Sequence, residues 1–382
     1  MRIFYITPSI IPSRAANVVH VLSQVDGFSS LGYEVFIYFQ RKIISNKKLI
    51  LNLKRDYLMP SQKIKYKSFY SPFNFASSLL ITILALPILL YRKECLIISR
   101  NLYGAFFYGL ILRRNLVYET HNLEDGFKRH IQLALLKSNL IKKVVITKAL
   151  KLILEKQFNK KFFNIHVLPD AAKSGSNVVN FDQKRIFLKT KLPFNIESFK
   201  FVCGYFGHLY KGRGIEIIME IARKMPEIFF LVYGGNLKQI KEYQNQNIMQ
   251  NLKFMGYCSH QEVTKISRLV DVLLMPYQKN VSIGLSGSDT SSWMSPMKMF
   301  EYMSTGVPII SSDLPVLREI LKDSVNCLLS IPNDVESWVE NIIKLKNNKS
   351  LGLEISKKAF EDYKTKYTWK IRAKRLIEVY EN

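Results

Sequence analysis

The stretch FKFVCGYFGHLYKGRGIEIIME, residues 199–220, opens the part of the chain that decides the fold. It begins with an apolar run of β-forming residues, passes through a loop with three glycines, and ends in a segment with apolar residues at helical spacing. A strand, a loop and a helix in this order form one βα unit. The alternation continues downstream in IFFLVYGG (228–235), LKFMGY (252–257), DVLLMPY (271–277) and VPIISS (307–312). This pattern predicts a parallel sheet covered by helices.

The first half of the chain is built in the same way. Its short apolar runs are RIFYITPSI (2–10), YEVFIYFQ (33–40), CLIISR (95–100), LVYETH (116–121), KVVITK (143–148) and IHVLPD (165–170). Residues 171–199 are polar and predict a linker. We therefore expect an α/β protein with two Rossmann-like parallel-sheet domains, 1–170 and 200–365, that face each other across a cleft. In such sheets ligands bind beyond the carboxyl ends of the strands.

Length and composition exclude several classes of protein. The chain has 382 residues, which suggests two or three domains at about 150 residues each. Hydrophobic residues make up 48% and charged residues 23%, which excludes a disordered chain, collagen and a polytopic membrane protein. Four cysteines are scattered without CxxC or metal-ligand spacing, and they predict reduced thiols in a cytoplasmic protein.

The formal net charge of +26 is concentrated in the first half of the chain. Residues 1–170 hold 26 Lys and Arg against 9 Asp and Glu, a net charge of +17. Such an excess favours a polyanionic partner, either nucleic acid or an anionic lipid surface. Because the sequence has no helix-turn-helix, zinc or RNA-binding motif, we expect a membrane surface and no nucleic acid.

One apolar segment raises the question of a membrane span. Residues 68–91 carry no charge, but the strongly apolar run LLITILALPILL (79–90) is only 12 residues long and contains Pro87. A span needs about 20 residues, so we expect a buried or interfacial helix. No secretory signal opens the chain. Lys/Arg clusters at 41–42, 47–48, 54–55, 63–67 and 92–93 flank segment 73–91. Together these features predict a peripheral protein at the inner face of the cytoplasmic membrane.

The glycine-rich loop after the strand at 199–206 predicts an anion site. In FGHLYKGRGIE (206–216) the loop carries His208, Lys211 and Arg213 just before a helix begins near Gly214. Glycines allow the backbone to approach a ligand closely, and cations at the start of a helix complete a phosphate-binding site.

A second candidate site lies in SSWMSPMKMFEYMSTGVPIISSD (291–313). Ser295 and Pro296 predict a helix start, with Ser as the N-cap and Pro at the first helical position. The helix should run to about Thr305. Lys298 could bind phosphate. Glu301, on the following turn, could accept hydrogen bonds from both hydroxyls of a ribose. The long Gly/Ser-rich loop 280–292 before this helix is typical of a binding loop.

In the first half, polar residues follow two of the predicted strands. Glu119 and His121 stand at the carboxyl end of LVYETH, where His121 is a candidate for contact with a ligand. The loop after the first strand offers Ser13, Arg14 and Asn17 to a ligand.

Together these segments resemble the retaining glycosyltransferases of glycosyltransferase family 4, which have the GT-B fold. The resemblance covers nearly the whole chain and is carried by SPMKMFEYMSTGVPIISSDLPVLREIL (295–321), GHLYKGRGIE (207–216), VYETHN (117–122) and VLPDA (167–171). The tail KYTWKIRAKRLIEVY (366–380) looks like the family's terminal helix, which crosses back to the first domain.

The resemblance implies transfer of a sugar from a UDP- or GDP-sugar, with retention of anomeric configuration and without a metal or other cofactor. His121, Lys211 and Glu301 would be catalytic. The acceptor would be a glycan, most plausibly lipid-linked, in the synthesis of a bacterial surface polysaccharide such as lipopolysaccharide, O-antigen or capsule. The implied donor-binding residues are Gly207, His208, Lys211, Arg213, Tyr257, Ser295, Pro296, Met297, Lys298 and Glu301. Ser13, Arg14 and Asn17 would bind the acceptor.

Two positions depart from the family pattern. Trp293 occupies the place of the first glutamate in the family's E-x7-E motif, of which Glu301 is the second. His208 stands where an arginine is common, and Arg213 is placed to supply that charge. Two alternatives stay open: a nucleotide-sugar epimerase of the same fold, and a basic nucleic-acid-binding protein.

Overall fold

The structure is a computed structural model in which the chain forms two compact units. It describes residues 1–13, 15–41, 53, 63–70, 77–91, 95–173, 188, 190–192, 194–246, 249–282 and 289–382. The first unit comprises Met1–Ala171 and Tyr367–Asn382, and the second comprises Ala172–Lys366. Both are parallel sheets with surrounding helices, so the predicted α/β class is confirmed.

The sheet of the first unit has seven strands among the described residues, in the order β3-β2-β1-β4-β5-β6-β7. Every described strand pair in it is parallel. The central strands are buried on both faces, which explains why they read as continuous apolar runs. The strands are Arg2–Ile11 (β1), Glu34–Arg41 (β2), Ile64–Tyr70 (β3), Cys95–Ser99 (β4), Leu116–Thr120 (β5), Lys142–Val145 (β6) and Ile165–Val167 (β7).

Helices cover both faces of this sheet. They are Ala16–Ser30 (α1), Ser77–Leu84 (α2), Gly126–Lys137 (α3) and Lys148–Gln157 (α4), with short helical turns at Leu86–Leu90, Leu102–Gly104 and Ala105–Ile111. The terminal helix Trp369–Glu381, labelled α11 below, also belongs to this unit and packs on α1. Gly27 of α1 makes this close approach possible, because a Cβ there would lie 2.5 Å from the carbonyl oxygen of Trp369.

The apolar segment near residue 80 forms a half-buried helix. Ile81, Ala85 and Ile88 are fully buried in the core on one face of the sheet. Leu79, Ile83 and other apolar side chains of the same segment are exposed. Of the helices that the structure describes, none combines the length and the apolar character that a membrane span requires. Residues 71–76 lie outside the described part, as do all or part of the basic clusters at 41–42, 47–48, 54–55 and 92–93.

The second unit contains a six-stranded parallel sheet within the described residues, in the order β10-β9-β8-β11-β12-β13. Its strands are Val202–Phe206 (β8), Phe229–Tyr233 (β9), Leu252–Gly256 (β10), Val272–Met275 (β11), Ile309–Ser312 (β12) and Leu328–Ser330 (β13). Its helices are Ile215–Lys224 (α5), Leu237–Gln246 (α6), His260–Ile266 (α7), Met297–Met303 (α8), Val335–Asn347 (α9) and Lys349–Lys366 (α10), with a short 3-10 turn at Leu317–Glu319.

Three details differ from the sequence-based expectations. Strand β3 was not among the predicted strands, because an edge strand with alternating lysines lacks an apolar run. The described end of the predicted linker packs against the second unit instead of being solvated. Ile196 is buried, and the Phe199 ring lies 5.1 Å from that of Phe229. The predicted terminal helix begins at Trp369 and not at residue 366, and Thr368 caps it by accepting a hydrogen bond from the Ile371 backbone N–H.

Candidate functional site

The order of strands in the second sheet places its topological switch point between β8 and β11. The chain runs outward from β8 through β9 to β10, then returns to the other side of β8 as β11. The loops that leave β8 and β11 therefore diverge and leave room for a ligand at the carboxyl edge of the sheet. These two loops are the ones in which the sequence placed the anion site, 207–214, and the binding loop, 280–292.

Glycines bring the two loops into direct contact. Gly214 precedes α5 with a left-handed backbone, φ +81°, and a Cβ there would lie 1.9 Å from the Pro276 carbonyl oxygen. Gly212 has φ +82°, and its Cβ would lie 1.8 Å from the Asn280 carbonyl oxygen. A side chain at either position would clash with the backbone of the other loop. Glycine has none, so the loop after β8 can pack against the loop after β11.

Arg213 of the first loop and Lys298 of helix α8 lie near the same tyrosine ring, that of Tyr277. The Lys298 ammonium lies 3.7 Å from the centre of the Tyr205 ring and 5.4 Å from that of Tyr277. The Arg213 guanidinium lies 5.0 Å from the same Tyr277 ring, and its Nη2 donates to the Ser282 carbonyl at 3.1 Å. Arg213 Nε is buried and has no hydrogen-bond partner among the described residues. Tyrosine faces favour cations, so the two tyrosines hold both side chains at this edge.

The charge of Arg213 contributes to lowering the pKa of two neighbouring residues. Burial lowers the pKa of Lys298 well below its usual value, and the neighbouring Arg213 charge lowers it further. His208 lies at the exposed rim, where desolvation followed by the charges of Arg213 and Lys298 lowers its pKa to about 4. Mutual repulsion of this kind is relieved when an anion binds among the cations. By contrast, the Lys211 side chain is exposed, and its carbonyl accepts a hydrogen bond from the Ser282 backbone N–H.

Helix α8 is fixed to the end of β8 and presents Glu301. The Phe206 backbone N–H donates to the Tyr302 hydroxyl at 2.8 Å, which anchors the helix. Glu301 is partly exposed, and its Oε1 lies 3.7 Å from Nε2 of His260, at the start of α7. The sequence did not single out His260. A capping-box pattern at Ser259 and Glu262 could have placed the start of α7, but not its approach to Glu301.

The start of α8 differs from the expectation by one residue. Pro296 has an extended ψ of 119° and occupies the N-cap position, so Ser295 is not the cap and the first helical residue is Met297. The helix ends at Met303 instead of near Thr305. Of the other predicted donor residues, Gly207 lies against Lys298 and Tyr257 is exposed at the end of β10.

The preceding loop is described at its two ends. Asp289 Oδ1 accepts hydrogen bonds from the backbone N–H groups of Val281 and Ser291, both at 2.9 Å. This carboxylate, which the sequence reading did not select, closes the base of the loop. Residues 283–288 lie outside the described part of the chain.

The first unit has a buried polar cluster at the end of β5. His121 Nε2 lies 2.7 Å from Oε1 of Glu119, a side chain with no solvent exposure. The same oxygen is 3.1 Å from His20 Nε2 and 2.9 Å from Nη2 of Arg372, on the terminal helix α11. The sequence selected His121 and noted Glu119, but had no signal for His20 or Arg372.

The predicted acceptor residues lie at the start of α1. Ser13 Oγ accepts from the Ala15 N–H at 3.2 Å, and Asn17 Nδ2 donates to Ser9 Oγ at 3.3 Å. Arg14 lies outside the described residues. The switch point of this sheet is between β1 and β4, so the loop that holds Ser13 leaves one of its two strands.

The geometry of the second unit has a counterpart among known families. Residues 200–348 match the family model Glycosyl transferases group 1. The match covers all six strands of the second sheet, the loop 207–214 and helix α8. The first unit lies outside it.

Two individual glycosyltransferases are similar to about half of this chain. The chain is 24% identical over 178 residues to the uncharacterized glycosyltransferase MJ1178 of Methanocaldococcus jannaschii, covering 46% of this chain and 47% of the relative. It is 23% identical over 192 residues to the O-antigen biosynthesis glycosyltransferase WclY of Escherichia coli, covering 50% of this chain and 49% of that protein. The chain thus matches about half the length of these relatives.

A solved structure covers the whole chain. Anabaena Alr3699/HepE in complex with UDP and glucose superposes with a TM-score of 0.72 at 14% identity, covering 100% of this chain and 99% of that one. The similarity shows that the chain has the two-sheet architecture of GT-B glycosyltransferases.

Proposed function

We propose that this chain is a retaining glycosyltransferase of family 4 that moves a sugar from a UDP- or GDP-sugar to a glycan acceptor. The observation that carries the proposal is the meeting of Arg213 and Lys298 on Tyr277, with Glu301 on the same short helix as Lys298. Two cations for a diphosphate and a carboxylate for a ribose are the groups that a sugar nucleotide requires. The family match and the names of the relatives support this assignment.

The cations would act mainly on the leaving group. When the bond from the anomeric carbon to the diphosphate breaks, negative charge grows on the phosphate oxygens. Arg213 and Lys298 would face that charge from positions fixed in advance, which is the arrangement that lowers a barrier electrostatically. His208 beside them would act as a neutral hydrogen-bonding group. The same cations could take the place of a metal ion, so we propose a reaction without one.

Retention follows if the acceptor attacks from the face that the diphosphate leaves. The acceptor oxygen then forms its bond to the anomeric carbon as the bond to the phosphate oxygen breaks. The acceptor proton passes to the leaving phosphate, and no enzyme base is needed. We assign His121 to the transferred sugar, as a residue that orients it.

A direct assay tests the proposal against its closest rival. The full chain is incubated with UDP- and GDP-sugars, with and without lipid-linked glycan extracted from a polysaccharide-producing bacterium. Nucleotide release that depends on the acceptor, an α-linked product from an α-linked donor, and activity retained in EDTA are the expected results. Interconversion of the sugar without an acceptor would instead show an epimerase, and loss of activity in EDTA would contradict the metal-free reaction.

His121→Ala is expected to lower the rate of transfer about 100-fold while nucleotide affinity changes less than twofold. The donor cations all belong to the second unit and His121 to the first, so removing the imidazole leaves the diphosphate contacts in place. A misplaced substrate can lose about this factor in rate. Single-turnover rates and UDP titrations of both proteins make the comparison. His130→Ala, an exposed histidine of α3, is the control. Equal losses in rate and affinity would contradict the assignment.

We further propose that the first unit binds an anionic membrane surface to meet a lipid-linked acceptor in polysaccharide synthesis. Lys65 and Lys67 are exposed on edge strand β3, on the same face as Phe69, which packs in the core beneath α2. The exposed apolar side chains of this region are Leu79, Leu80, Ile83, Leu86 and Leu90. Basic and apolar groups are thus adjacent, as membrane-surface binding requires.

Reversing both lysines tests the membrane proposal. Lys65→Glu/Lys67→Glu should weaken binding to anionic vesicles at least tenfold, since each surface lysine contributes about 1 kcal/mol. Lys63 is left intact because its Nζ donates to the Gly32 carbonyl. Lys344→Glu/Lys357→Glu changes the charge equally on the second unit and should bind as the unmodified protein does. Binding to neutral and anionic vesicles with equal affinity would refute the proposal.

A further inference from the structure

The buried cluster around Glu119 contains more than the candidate residue His121. Three side chains lie within hydrogen-bond distance of Glu119 Oε1. They are His121, just after strand β5, His20 of helix α1 and Arg372 of helix α11. Arg372 is itself almost fully buried, and its Nη1 donates to Gln24 Oε1 at 2.6 Å. Its Nε donates to the Pro169 carbonyl at 2.9 Å. The planar guanidinium group of Arg372 therefore makes hydrogen bonds in several directions, and these bonds allow it only one orientation.

Arg372 keeps the central carboxyl ionised. Burial by itself would raise the pKa of Glu119, but the Arg372 charge and the hydrogen bonds from His121 and His20 hold it well below the usual value. An ionised carboxylate can only accept hydrogen bonds. At 2.7 Å the His121 nitrogen that faces it must therefore carry the proton.

His121 is also held as a neutral ring. Burial, followed by the nearby Arg100 charge, lowers its pKa to about 3, although Glu119 acts in the opposite direction. A neutral imidazole has one N–H, and here Nε2 uses it to contact Glu119. Nδ1 is then left with a lone pair. The His20 ring packs edge-on against His121 at 4.8 Å and limits its rotation.

We propose that Glu119 and Arg372 are positioning residues for His121, which they hold as the Nε2–H tautomer with Nδ1 as a hydrogen-bond acceptor. The role of Nδ1 rests on the proposed function: it accepts a hydrogen bond from a sugar hydroxyl. The terminal helix α11 thus contributes a side chain to the site, and the last residues of the chain bear on activity as well as on folding.

Metal binding is the other chemistry that these side chains offer. His20, His121 and Asp170 have ligand atoms within 4.8 Å of one another. However, His20 and His121 both direct Nε2 at Glu119, and His20 Nδ1 lies 3.0 Å from Asp170 Oδ1. A cation would have to displace these contacts beside the fixed charge of Arg372. The geometry therefore favours a hydrogen-bonded network.

The tautomer can be measured without any assay of transfer. The full chain is labelled with 15N-histidine, and long-range 1H–15N spectra report which ring nitrogen of each histidine is protonated. The six histidines of the chain are distinguished by comparison with His121→Asn. At pH 7 the His121 resonances should show a protonated Nε2 and an unprotonated Nδ1. A protonated Nδ1 would overturn the proposal, as would a shift of the His20 and His121 signals with one equivalent of Zn2+.

Two substitutions test the positioning residues. Glu119→Gln should populate both tautomers of His121, because an amide can present either its oxygen or its NH2 group to Nε2. Arg372→Met should lower turnover at least tenfold with unchanged UDP affinity, and Arg372→Lys should restore part of the rate and the folded fraction. Lys374→Met, an exposed change on the same helix, is the control.

The pH dependence separates positioning from a purely structural effect. Glu119 faces His20, His121 and Arg372, and His121 also faces Arg100. With these groups intact, turnover should not fall between pH 8 and about 5, since the pKa of His121 is far below that range. Without Arg372 the pKa of Glu119 rises, so Arg372→Met should lose turnover as the pH falls through that value.

The outcomes of these experiments distinguish a positioning role of Arg372 from a structural one. A variant that loses turnover only in proportion to its folded fraction, with the wild-type tautomer and a parallel pH profile, would show that Arg372 is structural. If the full chain transfers no sugar while His121 shows the expected tautomer, the proposed function fails and the network stands.

Discussion

Lys298→Ala is expected to slow the transfer of sugar from a bound donor by about 100-fold to 1000-fold, the loss typical of one preorganised charge-stabilising group. The Lys298 ammonium is held between two tyrosine rings beside Arg213, where its charge is poorly solvated. Such a cation interacts more strongly with an anion than an exposed one does. Because charge on the diphosphate grows as the sugar leaves, the loss should fall mainly on the chemical step.

The matched control is Lys344→Ala, an exposed lysine of helix α9 in the same unit, which should react at the wild-type rate. Single-turnover rates and UDP affinities of both variants make the measurement. Arg213→Ala should resemble Lys298→Ala, whereas Lys211→Ala should lose less of both quantities, because the Lys211 side chain is exposed and well solvated. If Lys211→Ala loses more than Arg213→Ala, Lys211 is the main cation for the donor, as the resemblance implied.

Glu301→Ala is expected to weaken UDP or GDP binding by about 10-fold to 100-fold. A carboxylate that accepts hydrogen bonds from ribose hydroxyls contributes about 1.5–3 kcal/mol for each bond. Glu301 lies on the same helix as Lys298, one turn after Met297, and its carboxylate is partly exposed near His260. It is therefore placed to hold one end of a ribosyl diphosphate whose other end contacts the cations.

A ligand without the hydroxyls makes this test specific. The 2′,3′-dideoxy form of the nucleotide should bind weakly to the wild type and equally weakly to Glu301→Ala, since the contact is lost in both. Glu340→Ala, an exposed glutamate of α9, is the control and should bind UDP normally. Wild-type UDP affinity in Glu301→Ala would remove the ribose role and most of the case for a sugar-nucleotide site in α8.

Local pattern was enough to predict much of the architecture. Central strands such as Phe229–Tyr233 are apolar throughout because both faces are buried, and that leaves a clear signal in the sequence. Edge strand β3 was not predicted because its lysines are exposed and it contains no apolar run. The start of α8 was misplaced by one residue because the proline ring fixes φ but not ψ, and Pro296 has an extended ψ that packing decides.

The candidate site divides in the same way. The sequence by itself determined the glycine loop, the spacing between Lys298 and Glu301, and the position of His121 after a strand, because each depends on neighbours along the chain. Only the tertiary structure decided that Arg213 and Lys298 lie near the same tyrosine ring, and that Glu119 contacts an arginine 253 residues away. The reason is physical: residue spacing sets local periodicity, whereas the pairing of distant charges depends on how buried surfaces pack against one another.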